Sequence, residues 1–149
     1  MVNAASVSKE DVQRRVLDKM SEYEGRPLFE QYAIFMGKAQ LLELALKGLL
    51  TRLFDVPFDS MERWTLGHTK GELERKGLRP DFIHFLKSVV SHRNGMAHEF
   101  LADMTISRSI ASFSDRKIQG ELSKALYELE QLILFFDWCE EHDAWLSRA

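Results

Sequence analysis

A single cysteine, Cys139, in 149 residues leaves no partner for an intrachain disulfide and no thiolate set for a zinc site. Proline occurs three times and glycine eight. With so few turn formers, long helices fit the chain better than many short strands. No stretch approaches 18 uninterrupted apolar residues, so no membrane span is expected. The first residues, MVNAASVSKEDVQRR, lack the continuous apolar centre of a signal peptide, and a reducing cytoplasm is the expected location. Also missing are a phosphate-cradling glycine-rich loop, a G-x-S-x-G elbow and an H-E-x-x-H pair. No cofactor and no resident metal are expected.

What is there describes an ordinary globular domain. Apolar residues make up 45% and charged residues 29% of the chain, which is too apolar for disorder. The length suits one domain, 1–149, with residues 1–7 expected as a disordered extension. A net charge of -3 argues against a protein that coats nucleic acid nonspecifically. The charge is unevenly distributed, however. Arg63, Lys70, Arg75, Lys76 and Arg79 make a locally basic middle, while residues 121–149 hold seven acids against Lys124 and Arg148. That middle reads either as a solvated helix face or as a surface for phosphate.

Hydrophobic spacing predicts helices along most of the chain. Ser8 with Asp11 marks the start of a first helix, over Ser8–Glu24, and Val12, Val16 and Met20 keep its period. A long helix is expected over Leu28–Phe54, with Phe35, Ala39, Leu42, Leu46 and Leu53 in its stripe. An irregular connection covers 55–64. A shorter helix over Leu66–Lys76 closes at Gly77, a residue suited to the left-handed end of a helix. Pro80 and Asp81 open the next helix. Residues 102–114 read as loop or short helix. A last helix is expected from Asp115 to Trp145, and its segment QLILFFDWC is apolar nearly all round. Such a segment is either buried deep in the bundle or shared with a second subunit. The fold class is all-α, a bundle of four or five helices.

Three groups of residues could carry chemistry. Asp81, His84 and His92 can be drawn as a metal set, but residue 88, which shares their face, is serine. Glu43 either pairs with Lys47 one turn on or turns towards Arg93 across the bundle. The third group is Arg93-Asn94-Gly95-Met96-Ala97-His98. Five residues of straight α-helix turn through about 500°, leaving Arg93 and His98 roughly 140° apart. Gly95 can relax the backbone there, at about 1 kcal/mol relative to alanine. Arginine offers a planar cation for phosphate oxygens, and imidazole can move protons. These residues read either as structural partners (an ion pair, a satisfied histidine, a cap) or as a site for cleaving an RNA phosphodiester.

Arg93, Asn94 and His98 on a late helix of an all-α bundle resemble the HEPN superfamily. Its small helical domains carry Arg-x(4 to 6)-His, usually with a polar residue directly after the arginine. The order of elements is similar too, over roughly residues 10–145. The resemblance implies a metal-independent endoribonuclease, a toxin or defence effector, acting as a homodimer whose motif helices meet in one cleft. It also implies RNA as substrate and a cognate antitoxin as partner. His98 would be the acid–base residue, Arg93 the phosphate ligand and Asn94 the orienting group, with the basic segment 63–79 flanking the cleft. A non-catalytic module of the same fold that binds nucleotide or RNA, or another protein, is the alternative it allows. Relatives paired with nucleotidyltransferase antitoxins often carry tyrosine two positions after the histidine. Phe100 stands there in this chain and lacks the hydroxyl.

Overall fold

The computed structural model describes residues 8–100 and 113–146, with backbone alone for 99–100 and 113–117. The 1–7 extension, most of the 102–114 segment and the Phe100 side chain therefore lie outside the described residues. Within them are five α-helices: α1 (Lys9–Ser21), α2 (Leu28–Phe54), α3 (Leu66–Arg75), α4 (Pro80–Gly95) and α5 (Phe113–His142). A 3-10 turn, Phe58–Met61, precedes α3, and a π-helical turn, Met96–Phe100, continues α4. The described part is all-helical apart from one isolated bridge, Leu78 to Leu146. None of its helices is long and apolar enough to cross a membrane.

Local signals explain most of the boundaries. The Ser8 hydroxyl accepts from the Asp11 N–H at 3.1 Å, and Thr65 caps α3 by accepting from the His68 N–H at 3.1 Å. Gly77 takes φ +90 after α3, with its N–H on the Glu74 carbonyl and the Leu78 N–H on that of Leu73. That pair of bonds closes the last turn in a way only a left-handed residue permits. Asp55 ends α2 at φ 56, and Asp143 ends α5 at φ 47. The last helix therefore stops at His142, short of the expected Trp145, and begins at Phe113.

Helix α5 is the centre of the bundle, packed against α1, α2 and α4. Its contacts fix directions. Gln119 reaches Gln31, Glu130 reaches Lys38 and Glu140 reaches Arg52, so α2 runs parallel to α5. Glu128 meets Ser88 and His92, while Phe135 meets Phe82, so α4 runs antiparallel to it. Buried leucines and aromatics from α2 to α5 form one core. One buried acid is built into it. Glu130 accepts from the Tyr23 hydroxyl at 2.7 Å and from Lys38 at 2.5 Å, which satisfies a carboxylate only 4% exposed. Burial first, then Glu130, pushes the Tyr23 phenol above its ordinary range.

The apolar segment 131–139 is partly covered by its own chain: Leu132 and Cys139 are buried, while Ile133, Leu134, Phe135, Phe136 and Trp138 are half-buried. Phe135 and Phe136 pack on Phe82, and Phe136 also meets Trp145, which folds back past the end of α5. That return also seals Cys139, which has no exposed surface. Burial raises its thiol to about 11, with the Arg79 cation pulling the other way. At neutral pH Cys139 is therefore expected to react with iodoacetamide roughly 100-fold more slowly in the folded chain than in urea. Equal rates in the two states would contradict this packing.

Candidate functional site

Helix α4 leads its chain from Pro80 up to the Arg93 motif, and the ladder changes register there. Gly95 is the last α-helical residue, and Met96–Phe100 continue as a π turn. A Cβ built on Gly95 would meet nothing within 4 Å, and its φ is not left-handed. Glycine is thus required neither by a contact nor by a turn. Its role is the low cost of leaving the α ladder. Each π-helical step turns through less than an α-helical one, so the π-helical part of the path from Arg93 to His98 narrows the angular gap between them. Met96 is buried and anchors the turn, which packs against α2.

The three motif side chains stand differently from His92. Arg93 is half-buried, and Asn94 and His98 are exposed. Among the described residues, none of the three side chains makes a hydrogen bond or ion pair. The preceding residue is the opposite case. His92 Nε2 contacts Glu128 Oε2, which also accepts from the Ser88 hydroxyl at 2.8 Å. Ser88 and His92 lie four residues apart on one face of α4, so a single carboxylate from α5 ties down that face. Only the spacing of Ser88 and His92 was visible in sequence; nothing in ALYELEQL singles out Glu128.

Glu43 is buried and faces Lys47 at 3.2 Å, and Gln40 donates to the same oxygen at 3.1 Å. Lys47 in turn donates to the Trp64 carbonyl at 3.0 Å. Of the two readings of Glu43, this is the pair within α2; the described residues show no contact to Arg93. Asp81, His84 and His92 are not brought together. Asp81 is held by Arg79, His92 by Glu128, and His84 is exposed beside Phe85.

The basic residues of the middle segment do not form one surface. A Cβ on Gly67 would lie 3.4 Å from Val90, so the start of α3 packs at the motif end of α4. Arg63, exposed just before α3, is therefore on the motif side. Lys76 is exposed at the far end, and Arg79 precedes Arg93 by fourteen residues, about 21 Å of helix. Lys70 pairs with Glu74 at 3.4 Å and Arg75 pairs with Glu72. Among the described residues only Arg63 and Lys76 of this set are without a side-chain partner.

Arg79 is fully engaged away from the motif. Its guanidinium makes two bonds to Asp81, at 2.7 and 2.8 Å, and donates to the Ala144 carbonyl at 2.8 Å. It also lies over the rings of Phe135 and Trp138, at 5.0 and 5.4 Å. The hydrogen bond to Asp81 raises the arginine and holds the Asp81 carboxyl below its usual range. Arg79→Ala is expected to cost about 2 kcal/mol, read by urea denaturation, through lost charged hydrogen bonds and ring contacts. The Asp81 part is present above the ordinary carboxylate pKa and disappears as pH falls through the lowered one. The gap between variant and wild type should therefore narrow in acid.

Comparisons with family models, curated proteins and solved structures return no match for this chain.

Proposed function

We propose that this chain is a HEPN-type, metal-independent endoribonuclease, with Arg93 and His98 as its catalytic pair. One observation supports the reading above the others. Arg93 stands just before a π-helical turn and His98 within it, and neither has a partner among the described residues, whereas the adjacent His92 is tied to Glu128. Departures from the α ladder of this kind cluster at functional sites.

In the proposed reaction the ribose 2′-oxygen bonds to phosphorus as the bond to the 5′-oxygen breaks. The products are a 2′,3′-cyclic phosphate and a 5′-hydroxyl. A proton leaves the 2′-hydroxyl and one arrives on the 5′-oxygen. His98 carries one of these transfers and solvent, or His98 of the partner subunit, the other. Arg93 stabilises the charge that builds on the phosphorane oxygens, and Asn94 holds a phosphate oxygen or the imidazole. Arg63 lies on the same side for the flanking backbone. A homodimer, an antitoxin partner, a role as toxin or defence effector and a cytoplasmic setting belong to the same proposal.

A second reading draws on a specific feature. The exposed His98 lacks an orienting hydrogen bond among the described residues, as suits a pocket that binds RNA or nucleotide without cleaving it. Incubation with RNA in EDTA separates the two. Shortened products from wild type, absent with His98→Ala, support the nuclease. Saturable binding that Arg93→Ala abolishes, with no product from wild type, supports the binding module.

A further inference from the structure

The half-buried part of α5 borders a groove of about 420 Å³. Its floor is α5 from Tyr127 to Glu141. One wall is α1 from Lys9 to Arg15, and the other is the start of α4, from Arg79 to Phe85. That volume lies in the range of clefts that hold small organic molecules. The groove is separate from the Arg93 motif. Phe85, its lining residue nearest the motif along α4, precedes Arg93 by eight residues, about 12 Å of helix.

Its surface is largely apolar. Phe135 is half-buried, and Phe85, 37% exposed, meets it edge-on at 5.9 Å. Leu134 extends the same surface along the floor. Trp138 offers only its edge, because Arg79 lies over the ring at 5.4 Å and His142 stacks on it at 4.6 Å. Two polar side chains of the floor are left over by the fold. Tyr127 and Gln131 stand one turn apart on α5 and are half-buried. Among the described residues neither side chain makes a hydrogen bond. An apolar cleft with a few converging, uncommitted polar groups is the usual form of a ligand site.

Charge selects the ligand. Arg79 and Asp81 neutralise one another, and Arg15 lies 3.4 Å from Asp11. That leaves Lys9 against Asp137 and Glu141, none of them in an ion pair among the described residues. Asp137 and Glu141 stand one turn apart on α5, where like charges oppose each other. Burial first, then Glu141, raises the Asp137 carboxyl above its ordinary range. A cation between the two would relieve both. We propose that this groove binds a small organic amine, its ammonium held by Asp137 and Glu141 and its apolar or aromatic body laid on Leu134, Phe135 and Phe85. Tyr127 and Gln131 hydrogen-bond polar substituents on that body. An anion of the same size would meet two carboxylates and is rejected. This site does not rest on the ribonuclease reading.

The test titrates the full chain by calorimetry at neutral pH. Phenethylamine is the probe, and 3-phenylpropionate, the same body ending in a carboxylate, is its counterpart. The amine should bind saturably with Kd below about 1 mM, and the acid at least about tenfold more weakly. Asp137→Asn with Glu141→Gln should weaken the amine at least about tenfold. Phe85→Ala, on the opposite wall, should weaken it about threefold or more. Glu62→Gln, at an exposed acid outside the groove, should leave it unchanged. All four substituted residues are exposed, and circular dichroism checks that each variant keeps its fold. An amine that fails to saturate by about 10 mM overturns the proposal. So does an acid that binds as tightly as the amine, or amine binding that survives the double substitution.

Discussion

His98→Ala is expected to lower RNA cleavage by at least about 100-fold, and Arg93→Ala by a similar factor, while leaving the fold intact. The expectation that stability survives comes from the structure. His98 is exposed and Arg93 half-buried, and neither side chain carries a hydrogen bond or ion pair among the described residues. Each change should therefore move unfolding free energy by no more than about 0.5 kcal/mol. The two variants should part on binding. On the proposed reading Arg93→Ala removes the cation that meets the phosphate, so RNA affinity should fall together with rate. On the same reading His98→Ala removes the proton carrier and leaves the cation, so RNA should still bind and not be cut. Arg93→Lys keeps the charge and loses the planar fork, which places it between wild type and alanine. Single-turnover cleavage and filter binding on the same preparations read all of this. A drop in cleavage matched by a melted circular dichroism spectrum would instead make the motif structural.

Phe82→Ala carries the largest expected effect on stability, about 3–5 kcal/mol. Phe82 is wholly buried in the first turn of α4, just after Pro80 has set the helix direction. It is the ring on which three others converge. Phe135 and Trp145 meet it edge-on at 5.4 and 4.9 Å, and Phe136 lies 6.5 Å away. Alanine would leave a cavity at the point where α4, α5 and the returning C-terminal turn join. The aromatic contacts would be lost as well, and rings so interlocked cannot all collapse inward to fill the space. Arg79 holds the same return from outside, so the two changes should not be additive. Urea titration should show a lower midpoint with the slope retained. As a control, Leu17→Ala, on an exposed position of α1, should fall within about 0.5 kcal/mol of wild type. A Phe82→Ala loss below 1 kcal/mol would mean that the aromatic cluster does not organise the core.

Signals held by single residues were legible in the sequence. Ser8, Gly77 and Pro80 mark boundaries through backbone chemistry that acts locally, and the structure puts each where that chemistry requires. The break beside Gly95 was legible for the same reason, as a local rule set aside within a consistent helix. What depended on tertiary partners was not. Nothing in α5 distinguishes Glu128, which meets α4, from Glu130, which is buried with Tyr23 and Lys38. Arg79 read as one cation among five, because its carbonyl acceptor lies 65 residues away. The 131–139 segment looked too apolar for one packing face, since the turn at Asp143 that folds Trp145 back onto it has no glycine to announce it.

The most direct test of the central claim asks whether cleavage needs the 2′-hydroxyl. Wild-type protein in EDTA is given two oligonucleotides of one sequence, one all-RNA and one 2′-O-methylated throughout. The account predicts that only the RNA is cut, that its upstream fragments end in 2′,3′-cyclic phosphate, and that His98→Ala gives neither. Intact RNA with wild type, or equal cutting of the methylated strand, would contradict it.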